Sequence, residues 1–396
     1  MDKLARQPAP GDPRGLLVLL LALHSLSSAL ILPTLPALAA AHGGQAQWAF
    51  SAFIFGFGIT QIPWGLLADR CGRRPPLLSG LLLFACAATC CVFATQLHEL
   101  IVLRFLQGAG VAAAGVCARA IIRDLHSGEA CVRALSLCFS WIGAISLAGP
   151  LLIALLAEHY DRSATLAVYA GLGWLALLLC MFRLPETASP APHSGELRWQ
   201  TILAHPVFRV YTALTAFTYL GHYTFLTVSA FLLMGHYGMG APAYAAVLSA
   251  CSLCYMAGTV AGRRLMARVG LQRTVCRASL LGLAGATLML AAALAGGTAP
   301  AAMVAPYLLF AFAHAIHQSC GQGAAIAPFP DAAGQASALL GTALPTIAVL
   351  IGWLCGARLA DSPLAMPVVV FASAVLVALC AGLGVRRYGA IRRLPC

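Results

Sequence analysis

The stretch Gly65-Leu-Leu-Ala-Asp69-Arg-Cys-Gly72-Arg-Arg-Pro75 joins two long apolar segments, and it decides how this chain folds. Residues 47–68 lead into it and residues 76–96 follow it, and neither segment contains a charged residue. A segment of about 20 apolar residues is long enough to cross a bilayer core as a helix. We therefore interpret the stretch as a short polar turn between two membrane helices.

Long apolar runs recur along the whole chain of 396 residues. Because a helix satisfies its own backbone in lipid, each run predicts a membrane-spanning helix. There are twelve runs, at 15–36, 47–68, 76–96, 99–119, 133–157, 163–184, 207–233, 242–262, 274–295, 301–325, 333–355 and 364–385. The first follows Lys3, Arg6 and Arg14 as a signal peptide would, but its length and the eleven later runs favour an uncleaved helix. The predicted fold class is an all-α membrane protein with twelve transmembrane helices.

The composition excludes a soluble protein. Apolar residues make up 61% of the chain and charged residues 9%, with a mean hydropathy of +0.87, whereas soluble domains carry about 25% charged residues. The 15 cysteines lie mostly in apolar runs, where a thiol is a small apolar filler. No polar catalytic set is visible, so we predict a chain that is not an enzyme and that has no metal site and no bound cofactor.

The charge distribution indicates a membrane topology. Lysine and arginine outnumber the acids by 24 to 12, which gives a formal net charge of +12. A basic excess can indicate nucleic acid, but here the residues lie in short clusters between apolar runs. With twelve spans, 21 of the 24 fall on the side that carries both termini. Because Lys and Arg concentrate in cytoplasmic loops, we expect cytoplasmic termini and no nucleic acid partner.

The chain divides into two halves of six spans each. Residues 185–205 have the Pro-, Ser- and Gly-containing composition of a linker, between a predicted bundle at 1–190 and a second at 206–396. Three residues after the second span recur 198 positions later, after the eighth: Leu67, Arg70 and Gly72 correspond to Leu265, Arg268 and Gly270. Such an internal repeat is typical of transporters built from parallel repeats.

The polar stretch resembles the signature loop between helices 2 and 3 of the major facilitator superfamily. Gly65 permits close helix approach, Asp69 is an acid among arginines at a helix end, and Gly72 permits a tight turn. The alternative is an arginine-rich loop with one incidental acid. The resemblance implies a cytoplasmic latch that holds one conformation and breaks in the other. Its members are Gly65, Asp69, Arg70, Gly72, Arg73 and Arg74.

Two further stretches resemble signatures of the same superfamily. Arg104, followed by Gln107 in the fourth span, looks like its buried arginine motif, which the resemblance links to coupling. The alternative is an arginine that extends to the membrane surface beside Glu99. Gly149 and Pro150 form the core of an antiporter signature at a hinge in the fifth span, but without its surrounding glycines. The alternative there is an ordinary proline kink.

Four short segments narrow the resemblance to the Bcr/CflA branch, the bicyclomycin- and chloramphenicol-type efflux transporters of bacterial inner membranes. They are Leu32-Pro-Thr-Leu-Pro36, Ile122-Arg-Asp124, Leu184-Pro-Glu-Thr187 and Pro328-Phe-Pro330. The resemblance implies two six-helix bundles with a pseudo-two-fold repeat and proton-driven export of a small molecule by alternating access. We expect a monomer whose partners are its substrate and the lipid bilayer. An importer with the same fold is the alternative.

The chain departs from that branch in its acids. Members often carry an aspartate near the end of the first helix, where this chain has Ala29, and all twelve acids lie in tails, loops or helix ends. The usual proton-carrying carboxylate is therefore absent, and the central cavity should be neutral to positive. We expect a neutral, anionic or zwitterionic cargo. An amphenicol-like drug or an endogenous metabolite, such as a hydroxamate or carboxylate siderophore, fits that description.

Histidines are the remaining titratable candidates. His314 lies on one helix face with Gln318 and Gln322, and His317 lies one turn away. Because histidine exchanges protons near physiological pH, we hypothesise that His314 or His317 carries the proton. The alternative is neutral histidines hydrogen-bonded between helices.

Polar side chains in the middle of spans are the candidates for contact with the cargo, because such groups face a cavity or a neighbouring helix. The candidates are His24, Ser28, Gln61, Arg104 and Trp141 in the first half, and Tyr219, His222, Tyr223, Gln318 and Gln322 in the second. Each is also a candidate for hydrogen bonding between helices.

Overall fold

In the part of the chain that the structure describes, the fold consists mainly of twelve long helices. The computed structural model describes residues 14–29, 47–159, 162–187, 199–296, 299–359 and 363–388, and within these ranges there is no strand. The helices are α1 (Arg14–Ala29), α2 (Gln47–Arg70), α3 (Arg74–Phe93), α4 (Leu97–Leu125), α5 (Glu129–His159), α6 (Arg162–Arg183), α7 (Pro206–Ala230), α8 (Ala241–Val269), α9 (Leu271–Leu294), α10 (Pro300–Ile326), α11 (Ala333–Leu359) and α12 (Ala365–Leu379). Eight of them, judged over the described residues, are long and apolar enough to cross a membrane. The all-α membrane fold class is confirmed.

Shorter elements extend or connect these helices. A π-helical turn, Phe231–His236, continues α7, and another, Cys380–Val385, leads from α12 into the short helix Arg386–Tyr388. A 3-10 turn, Pro330–Ala332, precedes α11. Within the predicted linker, Trp199–Ala204 form a short helix before α7.

Two helices run further than their apolar segments predicted. The prediction ended the fourth and eighth spans at residues 119 and 262, but α4 continues to Leu125 and α8 to Val269. Hydropathy detects only the part of a helix that suits the bilayer core, whereas a helix continues into polar surroundings while its backbone bonds are kept. The expected arginine-rich loop after the eighth span is thus the single residue Gly270, and its arginines lie on the two flanking helices.

Close helix contacts in the amino-terminal half depend on glycine. A Cβ on Gly56 would collide with the Phe105 carbonyl oxygen, and one on Gly108 with the Phe53 carbonyl oxygen, so α2 and α4 approach at both points. Small residues at crossings are what helix packing in lipid favours. This contact places α4, buried along most of its length, at the centre of the half.

The two halves meet along two groups of helices. The first seam is the contact of α2 and α4 with α11, and the second seam is the contact of α5 with α8 and α10. We call the end of the bundle where α2 turns into α3 the latch end. The turns at Gly72 and Gly270, which are 198 residues apart, have positive φ values of +88° and +82°. The repeat seen in the sequence is therefore also present in the backbone.

Candidate functional site

The carboxylate of Asp69 joins the two halves at the latch end. Its Oδ1 accepts a hydrogen bond from the backbone N–H of Gly334 at 2.9 Å, and its Oδ2 accepts one from Gln335 at 2.8 Å. Both amides belong to the first turn of α11, where free N–H groups and the helix dipole favour a negative charge. An acid of the amino-terminal half is thus held by the backbone of the other half.

Arg73 is buried between two acids of its own half. Its Nη1 donates to Asp69 Oδ1 at 2.7 Å, and its Nε donates to Asp124 Oδ2 at 2.8 Å. Burial alone would lower the pKa of Arg73, but the hydrogen bonds and charges of Asp124 and Asp69 raise it above its ordinary value. The guanidinium therefore stays charged and fixes the direction of the Asp69 carboxylate.

Glu186, just after α6, closes the turn between α2 and α3. Its Oε1 accepts the backbone N–H of Arg73 at 2.9 Å, and its Oε2 accepts that of Arg74 at 3.0 Å. A Cβ on Gly72 would lie 2.6 Å from Glu186 Oε2, so the turn needs glycine for space as well as for its positive φ. Arg70 lies exposed at the surface of this turn.

The first seam continues from Asp69 along one face of α2. A Cβ on Gly65 would lie 2.6 Å from the Gly334 carbonyl oxygen, which shows how closely the two backbones approach. Further from the latch end, Thr342 Oγ1 donates to the Gly58 carbonyl at 3.1 Å. These positions recur every three to four residues, so α2 presents one continuous face to α11.

Between these contacts lies a buried polar group built around Arg119. Its Nε donates to Ser337 Oγ at 2.7 Å, and its Nη2 donates to Gln61 Oε1 at 2.9 Å. Gln61 in turn donates from Nε2 to the Gly341 carbonyl at 2.7 Å. Gln61, predicted to face a cavity, is fully buried in the seam in this conformation. We call Arg119, Gln61, Ser337 and Gly341 the arginine clamp.

The second seam is held by hydroxyl groups and one arginine. Ser140 Oγ lies 2.6 Å from Thr259 Oγ1, and Ser136 Oγ donates to the Thr259 carbonyl at 3.3 Å. Arg263 donates from Nη1 to the Ser136 carbonyl at 2.9 Å and also to Ser140 Oγ. The ion pairs of Arg73 and the exposed pair Arg133–Glu129 all lie within the amino-terminal half, so none of these pairs joins the two halves.

Arg104 is buried within the amino-terminal half. It donates from Nη1 to Gln107 Oε1 at 2.7 Å and from Nη2 to the Ser27 carbonyl at 3.0 Å, and its guanidinium lies 4.6 Å from the centre of the Phe53 ring. The arginine and glutamine predicted as a pair are therefore in contact, and together they join α4 to α1. This arginine does not extend to a surface, since only 3% of it is exposed.

His24 lies on α1 beside the arginine clamp. Its ring stacks on Phe57 at a centroid distance of 3.8 Å and lies 5.7 Å from Phe53. Its Nδ1 is buried and has no hydrogen-bond partner among the described residues. Phe57 also lies near Gly115, which is next to the guanidinium of Arg119.

The carboxyl-terminal half contains a stacked pair of histidines. The rings of His222 on α7 and His314 on α10 lie 4.3 Å apart with an angle of 19° between their planes. Nδ1 of His222 is 2.8 Å from Tyr307 Oη, and Nδ1 of His314 is 3.2 Å from Thr218 Oγ1. Tyr255 of α8 approaches His314 from the other side, at 5.9 Å between ring centres.

The other residues predicted on α10 have separate partners. His317 Nε2 lies 3.0 Å from Ser279 Oγ on α9. Gln318 donates to the Thr215 carbonyl of α7 at 2.9 Å, and Gln322 donates to Gln318 Oε1 at 2.8 Å. All three side chains are buried; His317 and Gln318 link α10 to other helices of the same half, whereas the bond of Gln322 lies within α10.

The remaining predicted residues lie apart from these groups. Tyr219 and Tyr223 stack on each other at 6.1 Å and are half-buried. Trp141 is 58% exposed and lines a groove of about 810 Å³ between α1, α4, α5 and α8. Gly149 and Pro150 fall within α5 and Ser28 within α1, but their side-chain surroundings lie outside the described part of the structure.

Comparison with known proteins identifies the family. The family model described as "Major Facilitator Superfamily" matches residues 17–353. The chain belongs to the Major Facilitator Superfamily. Together with the geometry above, this confirms that the chain is a multi-pass membrane transporter and not an enzyme.

Curated members of the Major Facilitator Superfamily resemble the chain over most of its length. The "Multidrug resistance protein MdtL" of Shewanella oneidensis is 28% identical over 82% of this chain and 83% of its own. The "Bicyclomycin resistance protein homolog" of Haemophilus influenzae is 24% identical over 80% and 81%. These relatives agree with the Bcr/CflA branch that the sequence motifs indicated.

Solved structures of the superfamily share the fold. The proton:xylose symporter XylE aligns with a TM-score of 0.80 at 15% identity, covering 95% of each chain. FucP, in an outward conformation, aligns with a TM-score of 0.72 at 17% identity, covering 96% of this chain and 99% of its own. At these identities the likeness concerns the fold alone.

Sequence reasoning missed several members of these groups. Asp124 and Glu186 were noted only as parts of branch motifs, yet they position Arg73 and the turn. Arg119 is one of the 21 basic residues that the charge distribution assigns to the cytoplasmic side, although it is buried in the first seam. The signal that could have identified Arg119 is its position, at the end of an apolar run and one helical turn before Arg123. Only one face of α4 can meet water there.

Proposed function

We propose that this transporter exports small organic molecules by alternating access, with its latch end and both termini in the cytoplasm of a bacterium and its helices in the inner membrane. The observation that carries the proposal is the first seam, where Asp69 binds the backbone of α11 through two hydrogen bonds. Such bonds can be exchanged for water without leaving a charge unpaired, because Arg73 remains with Asp69. The resistance names of the relatives support export.

The described seam contacts correspond to a state closed at the latch end. On α2 they run from Asp69 to Gly58, 11 positions apart, which is about 16 Å along a helix. That length is roughly half of a bilayer core. Transport requires the first seam to open. The groups of the carboxyl-terminal half that bond across this seam are all neutral.

Drug accumulation in cells tests export. The chain would be expressed in a bacterial strain that lacks its main efflux pumps, and uptake of radiolabelled chloramphenicol would be compared with that of cells expressing Asp69→Asn. We expect several-fold lower accumulation with the unmodified chain only. Equal accumulation, with both proteins present in the membrane at equal amounts, would contradict export of amphenicols. A panel of neutral and zwitterionic compounds, including a hydroxamate siderophore, would then test export itself.

We further propose that the His222–His314 pair carries the proton that drives export. The two rings are close enough that protonating both would bring like charges within 4.3 Å. The pair therefore suits the exchange of a single proton. His222 is half-buried whereas His314 is buried. His222 can therefore receive the proton first, and His314 can then share it. The groups that face the pair are Tyr307, Thr218 and Tyr255, whereas His317, one turn from His314, bonds to Ser279 on α9.

Matched histidine variants test this coupling. His314→Gln and His222→Gln should abolish the dependence of export on an imposed pH gradient, measured in everted membrane vesicles. His317→Gln is the control, because that ring is bonded to Ser279 away from the pair. Unchanged pH dependence in both pair variants, or its loss only in the control, would remove the proposal and leave export itself untouched.

A further inference from the structure

Arg119 is a buried cation whose bonding partners are all neutral. Only 6% of it is exposed, and its hydrogen bonds go to Ser337 Oγ at 2.7 Å, Gln61 Oε1 at 2.9 Å and the Ser337 carbonyl at 3.3 Å. Among the described residues no carboxylate pairs with it. Buried charges are normally paired, because removing an ion from water is costly.

Arg73 and Arg119 differ in the partners that surround their charge. Arg73 is equally buried at the same end of the bundle, but it is paired with both Asp69 and Asp124. These two acids are thereby occupied by their own arginine and by the amides of α11. The arginine clamp is thus a place where the fold keeps a positive charge without supplying the negative one.

Opening of the latch end would change what surrounds this charge. Ser337 and Gly341 belong to the carboxyl-terminal half and would move away with α11. Gln61 and Arg119 belong to the amino-terminal half and would stay together, facing the space that opens. Nearby, His24 presents a buried Nδ1 that has no partner in the closed state among the described residues.

We propose that Arg119, assisted by Gln61, binds an anionic group of the cargo, such as a carboxylate, when the latch end is open. A guanidinium offers parallel N–H donors that match a carboxylate. When the latch end closes, Ser337 takes back Nε and Gln61 keeps Nη2, so the Nε and Nη2 donors are no longer available to the anion, and it is released toward the other side. The inference rests on the proposed export function and adds its substrate class.

The test uses two probes that differ only in charge. Everted vesicles expose the cytoplasmic face, and export of labelled chloramphenicol would be inhibited with nalidixate, an aromatic carboxylate, or with its neutral carboxamide. We expect nalidixate to inhibit the unmodified chain at an about tenfold lower concentration than the carboxamide. Arg119→Gln should remove this preference, so that the two probes inhibit the variant at similar concentrations.

Two further variants separate binding from a structural role. Ser337→Ala breaks the clamp but keeps the cation, so it should retain the preference for nalidixate, and Arg119→Lys should retain part of it. If the unmodified chain exports chloramphenicol without preferring nalidixate, or if Arg119→Gln keeps the preference, the inference is overturned. The inference is also overturned if Arg119→Gln and Ser337→Ala each change inhibition by nalidixate and inhibition by the carboxamide to the same extent. Loss of chloramphenicol export in the unmodified chain would instead be a failure of the proposed function.

Discussion

The two seams between the halves occupy matching positions but use different chemistry. Gly341 of the first seam and Gly143 of the second are 198 residues apart, the same interval as between the turns at Gly72 and Gly270. Gln61, which bonds to Gly341, and Thr259, which bonds to Ser136 and Ser140, are separated by the same interval. The backbone repeat has therefore been kept while the side chains have diverged.

The difference lies in the charged groups. The first seam contains a carboxylate on two backbone amides and a fully buried arginine, whereas the second contains hydroxyl groups and an arginine that is only partly buried. Bonds to buried charges are stronger and more sensitive to removal of one partner than bonds between neutral groups. We infer that the first seam controls opening of the latch end and that the second acts mainly as a pivot.

Asp69→Asn should have the largest effect. The variant loses the charge that Arg73 and the start of α11 both stabilise, and it leaves Arg73 with one acid instead of two. We expect export to fall at least about tenfold, because a buried bond to a charge contributes about 1.5–3 kcal/mol. The measurement is the initial rate of chloramphenicol export at matched protein levels. Asp331→Asn, at an exposed acid close to α11, is the control and should behave as the unmodified chain.

A pair of glycine substitutions compares the seams directly. Gly341→Ala places a Cβ against Gln61 Oε1 and Arg119 Nη2 of the arginine clamp, whereas Gly143→Ala meets Tyr255 at 3.2 Å and the Met256 backbone at 3.3 Å, which requires a shift of a few tenths of an ångström. We expect several-fold slower export for Gly341→Ala and a smaller change for Gly143→Ala. Equal effects would show that the seams are equivalent and would contradict the assignment of control to the first.

Removing one hydroxyl from each seam should give a smaller contrast. Ser337→Ala removes the partner of fully buried Arg119, and Ser140→Ala removes a partner of Arg263. Because Arg263 is partly buried, water can replace the lost bond, and the second variant should be the milder. The midpoint temperature of unfolding in detergent would show this as a lower value for Ser337→Ala. A lower midpoint for Ser140→Ala would reverse the ranking of the seams.

The smallest effect is expected outside both seams. Glu129 and Arg133 form an exposed pair at 3.4 Å on α5. Such surface pairs contribute about 0–1 kcal/mol, so Glu129→Gln should leave both export rate and unfolding midpoint close to those of the unmodified chain. A change as large as that of Ser337→Ala would mean that stability at this end does not come from the seams.

The sequence predicted the helices well because apolar length is a strong signal in a membrane protein. It misplaced the ends of α4 and α8, since the residues there are polar and hydropathy does not register them. Asp69, Arg73 and Gly72 could be singled out because they lie together in one short stretch.

Their partners could not be predicted in the same way. Glu186 is 113 residues from Arg73, and Gly334 is 265 residues from Asp69, so only the packing of the helices brings them together. Arg119 and Gln61 show a second limit. Polarity marked Gln61 as interior, but only the contact with α11 places it in a seam between halves and not in an open cavity.

Transport depends on opening of the first seam, and a distance across this seam is the most direct test of it. Spin labels on cysteines introduced at Arg70 and Asp331, both exposed, would report the separation of the halves by pulsed electron resonance, after the exposed native Cys71, Cys86 and Cys90 are replaced by serine. We predict one main short distance in the otherwise unmodified chain and a second, longer population that grows in Asp69→Asn. Identical single distances in both proteins would contradict the account.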